Sequence, residues 1–542
     1  MIPNLNQLFA SFDPSTLMAK GAPEGSLIEP SALLELQNEY LARINALMAS
    51  SVTTPVSADK RFASADWSAQ PWDKTAGLYA LNREFMLRMA SLVKGSAATT
   101  DRVRFFAEQM LDAASPSNFL ATNPEAQRLM IETSGESIKK GLENLLGDMQ
   151  RGRMLQSDES GFEVGKNLGV TAGKVVFRND LIELICYTST ANQVFERPLL
   201  MVPPCINKFY ILDLQPENSL VNYMVSQGHQ VYMLSWRNAQ KEQEHLSWDD
   251  YLQQGVLPAI TQVQTLSKQK TINALGFCVG GTLLSACLAA LAARDEHPVE
   301  SLTLLTTLLD FSHPGILGIF IDEQHCAYRE QTLANGGLMS GKELATTFSF
   351  LRPNDLVWNY LVNNYLKGET PPAFDLLYWN ADSTNLPGPM FTWYLRNLYL
   401  NNKLCEPAAL LGMGEPLDLG AIVCPAFIYG SKDDHIVPWQ SAYASTQLLG
   451  GEIEFALGAS GHIAGVINPA HKNKRNYWLS KQMPESPEDW FDSAHAVPGS
   501  WWNHWNDWLS PYAGRKVSAK TLPSVKLKSL GAAPGTYVLQ RA

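Results

Sequence analysis

A cysteine stands inside a glycine-rich turn near the middle of the chain. Residues 276–280 read Gly-Phe-Cys-Val-Gly; an apolar run at 271–275 precedes them and a small-residue helical pattern follows. This layout is typical of a nucleophile elbow, where a strand turns sharply into a helix and lifts one side chain above the sheet. Glycine suits such a turn because the backbone is strained and neighbouring chain passes close by. Most elbows carry serine, so Cys278 points towards thioester chemistry.

Two aspartates and a histidine follow in the order that an elbow nucleophile needs. In the α/β-hydrolase arrangement the acid comes after the nucleophile, and the base histidine comes last. Asp433 and Asp434 lie just past one predicted strand, and His462 lies past the next, behind a Gly-Ala-Ser-Gly loop. We therefore predict that His462 is the base for Cys278. Asp433 and Asp434 compete for the acid role, since one step of spacing decides which of them faces the histidine. We interpret the adjoining His435 as structural.

The oxyanion hole should combine two backbone N–H groups. One is that of Val279, the residue after the nucleophile, and the second comes from a loop after an earlier strand. Residues 203–208, Pro-Pro-Cys-Ile-Asn-Lys, form such a loop, and we select Ile206 as the second donor. Cys205 in the same loop is a weaker candidate for a second nucleophile, because it has no elbow around it.

The chain downstream of residue 165 predicts a mostly parallel sheet. Apolar runs at 174–177 and 181–185 flank Arg-Asn-Asp, which is a hairpin signal. Short apolar runs then alternate with helical stretches; they lie at 198–202, 230–234, 271–275, 302–305, 426–429 and 453–457. Such alternation is typical of a sheet with helices on both faces. We therefore predict an α/β-hydrolase fold with an inserted cap and a helical N-terminal domain.

Five segments follow from these patterns. Residues 1–160 form a helical N-terminal domain, 161–310 and 418–510 the two parts of the hydrolase core, 311–417 an inserted cap, and 511–542 a tail. The cap interval is rich in aromatic residues and interrupts the alternation of strands and helices. We interpret it as a cover for the catalytic face, since insertions of this kind emerge where ligands bind. The alternative is a set of helices packed away from the site.

The first domain contains three helical patterns, at 33–48, at 76–93 and from Asp101 onward. The segment 51–73 is rich in Ser, Thr, Pro and Ala, which is typical of a linker. The helices either pack against the rest of the protein or attach to a partner or an apolar surface. The tail carries six basic residues and no acid, so we expect it to fray or to lie along the surface.

Composition argues against several classes of protein. The 542-residue chain has a formal net charge of −11, so no basic field favours a nucleic-acid partner. Its seven cysteines have no C-x-x-C spacing, which argues against a zinc site and a disulfide framework and favours a reducing cytosol. The first residues lack the basic and apolar regions of a signal peptide. No apolar run reaches about 18 residues, so we expect no transmembrane segment.

The motifs resemble those of the polyhydroxyalkanoate synthases over residues 160–510. The elbow with the following Gly281 is similar to the lipase-like box of the class I form. Other matching blocks lie at 203–216, 235–238, 348–360, 385–389, 434–439 and 458–469. The resemblance implies that Cys278, Asp434 and His462 form the catalytic set, since the family's acid directly precedes His-Ile-Val-Pro-Trp. In that motif the position of Asp433 has no catalytic role.

The resemblance also implies an activity, partners and a location. It implies that (R)-3-hydroxyacyl-CoA is polymerised into polyester with release of CoA, through a covalent cysteine thioester. The class I form implies short acyl groups such as 3-hydroxybutyryl. Coenzyme A is then part of the substrate and a product, and we expect no cofactor and no metal. A homodimer in the cytoplasm, on polymer granules and in contact with the growing polyester chain, is implied as well.

Two questions stay open at this point. Asp434 acts either as the direct base on the 3-hydroxyl of the next acyl unit or only to orient His462. A thioesterase or esterase of the same fold would hand the acyl group to water, and the elbow alone does not exclude it. A non-catalytic scaffold on the granule surface is the alternative of another class, although an intact Cys, Asp and His set argues against it.

Overall fold

The computed structural model describes residues 28–49 and 59–542. Their contacts divide into two compact units. The first contains the described residues up to Glu159 together with Thr346–Phe374, and the second contains Ser160–Ala345 and Asp375–Ala542. Every candidate site residue named above belongs to the second unit.

α-Helices of five residues or more occur in both units. In chain order they are α1 Pro30–Ala49, α2 Trp72–Ser91, α3 Ala97–Ala113, α4 Pro124–Glu132, α5 Glu136–Arg151, α6 Leu220–Ser226, α7 Leu257–Ser267, α8 Val279–Ala292, α9 Glu323–Leu333, α10 Gly341–Phe350, α11 Asp375–Ala381, α12 Gly388–Tyr394, α13 Trp439–Ala444, α14 His462–Val466, α15 Pro487–Ser493 and α16 Trp501–Leu509. A short helix at Trp248–Asp250 and a π-helical stretch at Tyr251–Val256 lead directly into α7. Within the described ranges, no helix combines the length and the apolar character needed to span a membrane.

The first unit is helical, as its sequence pattern predicts. The apolar positions at 33–48 lie on α1, and the two later patterns lie on α2 and α3. α1 packs on α2 through Tyr40 and Phe85, whose ring centroids are 5.0 Å apart. The helical spacing of apolar residues therefore marks a contact between helices here.

The linker interpretation is wrong for residues 59–73. Phe62 and Trp67 are buried, and their rings meet edge to face with centroids 4.8 Å apart. Buried aromatic pairs of this kind contribute to a core, so the segment belongs to the folded first unit. The remainder of the predicted linker, 51–58, lies outside the described residues.

The middle of the predicted cap packs with the N-terminal helices. Thr346–Phe374 belongs to the first unit. The Tyr365 hydroxyl donates to Asp148 Oδ2 at 2.8 Å, and the Asn144 amide donates to the Asn364 carbonyl at 2.9 Å. The interval 311–417 is therefore not a single structural block, because its middle is bound to α5. Its role as a cover for the catalytic face stays a prediction.

The strands belong to the second unit. They are β1 Gly173–Arg178, β2 Ile182–Tyr187, β3 Gln193–Phe195, β4 Leu199–Val202, β5 Val231–Trp236, β6 Ile272–Phe277, β7 Val299–Leu305, β8 Leu338–Met339, β9 Leu386–Pro387, β10 Leu411–Gly412, β11 Glu415–Pro416, β12 Ala426–Ser431, β13 Ile453–Gly458, β14 Asn476–Leu479, β15 His495–Pro498, β16 Lys516–Ser518 and β17 Gly531–Ala532. The main sheet has the order β15-β14-β13-β12-β7-β6-β4-β5-β2-β1-β17. Its centre, from β13 to β5, is parallel throughout, and antiparallel strands flank it.

The six predicted apolar runs are the six strands of this parallel centre, which confirms the α/β-hydrolase fold. Alternate residues of β4 belong to two different apolar clusters. Leu200 and Val202 lie in one cluster, and Leu199 and Met201 lie in the other. Because both faces of the strand are covered, its residues are apolar without alternation.

The predicted hairpin is present as β1 and β2. Its turn is held by Asn179, whose side-chain oxygen accepts the N–H groups of Leu181 at 2.9 Å and Ile182 at 2.8 Å. A short side chain that bonds to nearby backbone in this way favours a turn over a continued strand. The local sequence therefore fixes this edge of the sheet.

The expectation that the tail frays is wrong. β16 pairs with β3, and β17 pairs with β1 at the edge of the main sheet. Tyr537 and Val538, near the end of the described chain, are buried. Strand pairing uses backbone groups, so the basic composition of the tail did not reveal it.

Candidate active site

The elbow has the geometry that its glycines predict. β6 ends at Phe277, α8 begins at Val279, and Cys278 between them has φ 52° and ψ −130°. A positive φ is costly for a residue with a side chain and is common at functional turns. A Cβ on Gly276 would lie 2.3 Å from the Gly281 Cα. The turn is therefore possible only because these neighbours lack side chains.

His462 and Asp434 form a buried pair. His462 is the first residue of α14, and its Nδ1 lies 2.7 Å from Asp434 Oδ2. The Asp434 side chain has no exposed surface, and its Oδ1 accepts the N–H groups of Ile436 at 2.8 Å and Val437 at 2.9 Å. Asp433, in contrast, is exposed. The structure thus places Asp434, and not Asp433, against the histidine.

Cys278 completes the group. The residue is half-buried, and its sulfur lies within electrostatic range of the His462 imidazole. Because Nδ1 is engaged by Asp434, the Nε2 atom is left for the thiol. The imidazole also stacks on Phe277, with ring centroids 5.7 Å apart and planes inclined by 26°. Contacts with both an acid and an aromatic face fix the ring in the orientation that a base for Cys278 requires.

Electrostatics favour a protonated His462. Burial acts to lower the pKa of this imidazole, but the Asp434 carboxylate and a Cys278 thiolate outweigh burial and raise the pKa to about 10. An imidazolium between two negative groups is stable because each neighbour compensates the charge that burial disfavours. A histidine with this raised pKa can accept the thiol proton during the reaction, which produces the thiolate, the nucleophilic form of cysteine.

Sheet topology explains why three residues so far apart in sequence meet. β6, β7, β12 and β13 are consecutive and parallel in the sheet. Cys278 follows β6, Asp434 follows β12, and His462 follows β13. The carboxyl ends of parallel strands lie at one edge, which is where ligands bind in open α/β sheets. The order of the strands thus positions the group.

The predicted oxyanion loop, 203–208, is held by hydrogen bonds to its carbonyl groups. Trp236 Nε1 donates to the Pro203 carbonyl at 2.9 Å. The Thr384 hydroxyl donates to the Cys205 carbonyl at 2.7 Å, and the Thr384 N–H donates to the Ile206 carbonyl at 3.3 Å. With its carbonyls engaged, the loop is fixed, and sequence reasoning named neither Trp236 nor Thr384 as its supports.

The loop also adjoins the start of α8. A Cβ on Gly280 would lie 2.4 Å from the carbonyl oxygens of Val202 and Pro203. Val279 is the first residue of α8, so its N–H has no acceptor within the helix. Val279 and Ile206 therefore lie on adjoining segments, and their roles as oxyanion donors stay a prediction.

Comparison with known proteins identifies the family. A model described as the N-terminus of poly-beta-hydroxybutyrate polymerase (PhaC) matches residues 58–224, and a model of the alpha/beta hydrolase fold matches residues 198–469. The poly(3-hydroxyalkanoate) polymerase subunit PhaC of Cupriavidus necator is 51% identical over 530 residues, which cover 96% of this chain and 90% of that protein. The chain belongs to the poly(3-hydroxyalkanoate) polymerase family.

Further relatives of the same family span similar lengths. A poly(3-hydroxyalkanoate) polymerase of Methylorubrum extorquens is 40% identical over 100% of this chain and 93% of its own length. Poly(3-hydroxyalkanoate) polymerase 1 of Ectopseudomonas oleovorans is 39% identical over 92% of this chain and 89% of its own length. Family membership therefore applies to nearly the whole chain and not only to its hydrolase core.

Cys205 lacks the surroundings of a nucleophile in this polymerase-family chain. Its side chain is buried, and burial together with the charge of Cys278 raises the pKa of its thiol far above the usual range. Burial also raises the pKa of Cys186 to about 11 and that of Cys287 to about 12. A thiol that is kept neutral is a poor nucleophile. The geometry thus favours Cys278 over the second cysteine that the sequence offered.

Five aromatic residues near Cys278 form what we call the aromatic cluster: Trp248, Phe311, Trp393, Tyr394 and Tyr399. Trp248 stacks on Trp393 at 4.9 Å and on Tyr394 at 5.5 Å between ring centroids. Tyr399 contacts Phe311 at 5.1 Å and Tyr394 at 5.2 Å. Burial raises the pKa of both tyrosines and the charge of Cys278 adds to this effect, so both side chains lie within electrostatic range of the sulfur.

One member of the aromatic cluster was not predicted. The aromatic interval at 311–417 was singled out from the sequence, but Trp248 lies before it, among polar residues. Its position comes from Ser247 and Asp250, which cap the short helix reciprocally: the Ser247 N–H donates to Asp250 Oδ2 at 2.8 Å, and the Asp250 N–H donates to Ser247 Oγ at 3.2 Å. This capping pattern is readable from sequence, but it does not reveal what the tryptophan faces.

Proposed function

We propose that this protein polymerises (R)-3-hydroxyacyl-CoA into poly(3-hydroxyalkanoate) and releases CoA, with Cys278 as the acyl carrier. The observation that carries the proposal is Cys278 at the elbow, beside the buried His462–Asp434 pair, in a chain 51% identical to a poly(3-hydroxyalkanoate) polymerase. Exchange between two thioesters is nearly balanced in free energy, so the acyl group stays activated on the enzyme. A serine ester would lose that activation.

The first step is acylation of the cysteine. The Cys278 proton moves to His462 Nε2, and the thiolate attacks the carbonyl carbon of the substrate thioester. The N–H groups of Val279 and Ile206 stabilise the negative oxygen of the tetrahedral intermediate. The carbon–sulfur bond to CoA then breaks, and the departing CoA sulfur takes the proton from His462. The products are an acyl-Cys278 thioester and free CoA.

The second step is elongation. The 3-hydroxyl of a further (R)-3-hydroxyacyl-CoA gives its proton to His462 Nε2 while its oxygen attacks the acyl-Cys278 carbonyl. An ester bond forms, the bond to the Cys278 sulfur breaks, and the histidine returns its proton to that sulfur. The product is a CoA thioester that is one unit longer, and the acylation step returns it to Cys278. Each cycle adds one unit and releases one CoA.

Asp434 orients His462 and does not act on the 3-hydroxyl itself. Its Oδ2 is engaged by the histidine, its Oδ1 accepts two backbone N–H groups, and its side chain has no exposed surface. A general base must come within hydrogen-bond reach of the proton that it takes. A hydroxyl substrate would first have to displace one of these buried partners. The geometry therefore supports the orienting role over the direct one.

The aromatic cluster is our candidate for the exclusion of water. Elongation competes with hydrolysis of the acyl-cysteine, so water must be kept from the sulfur while a hydroxyl is admitted. The rings of Tyr394 and Tyr399 pack edge to face, with centroids 5.2 Å apart. Packed aromatic rings present an apolar wall that water does not readily cross.

The proposal is tested with purified protein and (R)-3-hydroxybutyryl-CoA. We expect release of CoA thiol together with insoluble polyester, which is followed by turbidity. Cys278→Ala should abolish both signals, whereas Cys405→Ala, at a half-buried cysteine outside the candidate site, should retain them. Soluble 3-hydroxybutyrate without polymer would identify a thioesterase instead. Absence of CoA release from the wild type would favour a non-catalytic scaffold.

Three further parts of the proposal concern substrate size, assembly and location. The class I form of the elbow motif supports short acyl groups, and the relative rates of CoA release from C4, C5 and C8 hydroxyacyl-CoA check this.

We propose a homodimer, which analytical ultracentrifugation tests. We also propose a cytoplasmic protein bound to polymer granules, which is tested by co-sedimentation with granules isolated from lysed cells.

A further inference from the structure

The segment 530–541 is hydrogen-bonded and packed against the rest of the second unit. Leu530 donates its backbone N–H to the Val175 carbonyl at 2.9 Å, and Ala533 donates to the Gly173 carbonyl at 2.9 Å. Val538 is 2% exposed. Two buried charged side chains of the core are hydrogen-bonded by this segment, Glu183 by residues 536–537 and Lys208 by Gln540.

Glu183 on β2 is the first of these charges. Its side chain has no exposed surface. Its carboxylate accepts the backbone N–H groups of Thr536 at 2.9 Å and Tyr537 at 3.0 Å, and Arg178 Nε donates to it at 2.8 Å. A buried carboxylate without such donors is costly. The interaction therefore fixes the position of the segment three residues before it reaches the second charge.

Lys208 is the second charge. The residue is 2% exposed, and its Nζ donates to the backbone carbonyl of Gln540. Burial lowers the pKa of this ammonium; the Asp382 carboxylate opposes that effect, and the Arg541 guanidinium adds to it. A buried ammonium needs hydrogen-bond acceptors to remain inside a protein. The Gln540 carbonyl supplies one.

Lys208 also ends the predicted oxyanion loop, 203–208. Trp379 Nε1 donates to the Lys208 carbonyl at 2.7 Å, so this end of the loop is held through its backbone as well as its ammonium. Ile206, the predicted oxyanion donor, is two positions away. We infer that the carbonyl of Gln540 positions the oxyanion loop by holding the Lys208 ammonium inside the protein. Lys208 is thus a positioning residue, and this inference rests on the proposed function.

Loss of the Gln540 carbonyl would leave the buried Lys208 ammonium without this hydrogen bond. Without the Gln540 carbonyl, the lysine must turn towards water, and the end of loop 203–208 moves with it. A donor displaced by a fraction of an ångström stabilises the oxyanion less, while substrate binding elsewhere is unaffected. Removal of the Gln540 carbonyl should therefore lower kcat and leave KM nearly unchanged.

A double-mutant cycle tests the inference in the full-length enzyme. Truncation after Val538 removes the carbonyl and keeps the contacts of Glu183. Lys208→Met removes the ammonium, and the truncation is made in both backgrounds. With Lys208 present, we expect truncation to lower kcat for CoA release about 10- to 100-fold with KM changed less than about threefold. With Lys208→Met, the same truncation should change kcat less than about threefold, because an apolar side chain needs no acceptor.

Two controls accompany the cycle. Arg541→Ala removes a hydrogen bond of 2.9 Å to the Tyr378 hydroxyl, which the truncation also deletes, and should keep kcat within about twofold. The rate at which iodoacetamide alkylates the active-site thiol should be equal in all variants, since alkylation does not use the oxyanion hole. If the truncation lowered kcat equally in both backgrounds, through unfolding or otherwise, the inference would be wrong and the proposed function would stand. A wild type that releases no CoA would overturn the proposed function and this inference with it.

Discussion

Replacing Asp434 by asparagine should disable His462 as a base and leave the fold in place. Oδ1 of Asp434 accepts N–H groups from Ile436 at 2.8 Å and Val437 at 2.9 Å, and an amide oxygen can take over both bonds. The amide NH₂ group then faces His462 Nδ1 and has to donate to it. In that tautomer Nε2 carries the proton, so it cannot accept the proton of Cys278.

The size of the effect follows from the tautomer. In a serine triad the same substitution lowers kcat about 10⁴-fold. A thiol loses its proton more readily than a hydroxyl, so we expect a smaller loss for Asp434→Asn, about 10³-fold. That loss corresponds to about 4 kcal/mol of activation free energy. Because His462 serves both proposed steps, acylation and elongation should slow together.

Rapid mixing with (R)-3-hydroxybutyryl-CoA separates the two steps. The first CoA released reports acylation of the cysteine, and the steady-state rate reports elongation. Asp433→Asn is the matched control: its side chain is exposed, and its backbone N–H, which donates to the Ser460 carbonyl at 2.9 Å, is unchanged by the substitution. We expect this control to keep both rates within about twofold of the wild type.

Two outcomes would contradict the orienting role of Asp434. If Asp434→Asn kept the first CoA release within tenfold of the wild type while elongation stopped, the carboxylate would be acting directly on the 3-hydroxyl. If Asp433→Asn produced the large loss and Asp434→Asn did not, the exposed aspartate would be the functional one, and the buried pair would be structural.

Three further outcomes are expected. Because burial is outweighed by the Asp434 carboxylate, which raises the pKa of His462 above its usual 6.5, the buried imidazolium stabilises the fold fully below pH 6.5 and less as pH rises; in a Cys278→Ala background, where no thiol can exchange a proton with the histidine, urea unfolding at stepped pH should show the gap in unfolding free energy between His462 and His462→Gln narrowing by up to about 1.4 kcal/mol per pH unit, and a constant gap would contradict the raised pKa. Gly276→Ala should destabilise by about 3 kcal/mol or more in thermal unfolding, since the new Cβ would lie 2.3 Å from the Gly281 Cα; Gly161→Ala, with nothing within 4 Å, is the neutral control. Trp505→Phe removes an indole N–H that donates at 2.9 Å to a buried threonine hydroxyl and should cost about 1–3 kcal/mol in denaturant unfolding; an unchanged midpoint would show that the hydroxyl finds another partner.

The elbow and the parallel strands could be predicted because both are encoded locally. Gly276 is required by the close approach of Gly281 five residues later, and a strand covered on both faces is apolar throughout. The choice between Asp433 and Asp434 was not decided by this kind of pattern. It depends on which carboxylate accepts the N–H groups two and three positions later, as Asp434 does, and that turn becomes visible only when the backbone is known.

The parts that sequence reasoning missed depend on contacts between distant residues. Glu183 and Thr536 are 353 positions apart, and no sequence pattern connects them. Thr346–Phe374 reads as part of an aromatic insertion, yet it packs with α5 because Tyr365 and Asn364 find partners there. Composition predicts how polar such a segment is, but only the fold determines which surface it packs against.

The connection from β7 to β12 is much longer than the sheet requires. The two strands are parallel neighbours, with Leu302 beside Ala426 and Leu305 beside Tyr429, although 120 residues (306–425) separate them in sequence. A parallel crossover needs only about a dozen residues. Most of these 120 residues are therefore not needed to connect the two strands. The interval contributes Phe311, Trp393, Tyr394 and Tyr399 to the aromatic cluster, so this cluster can change in sequence while Cys278 keeps its place at the end of β6.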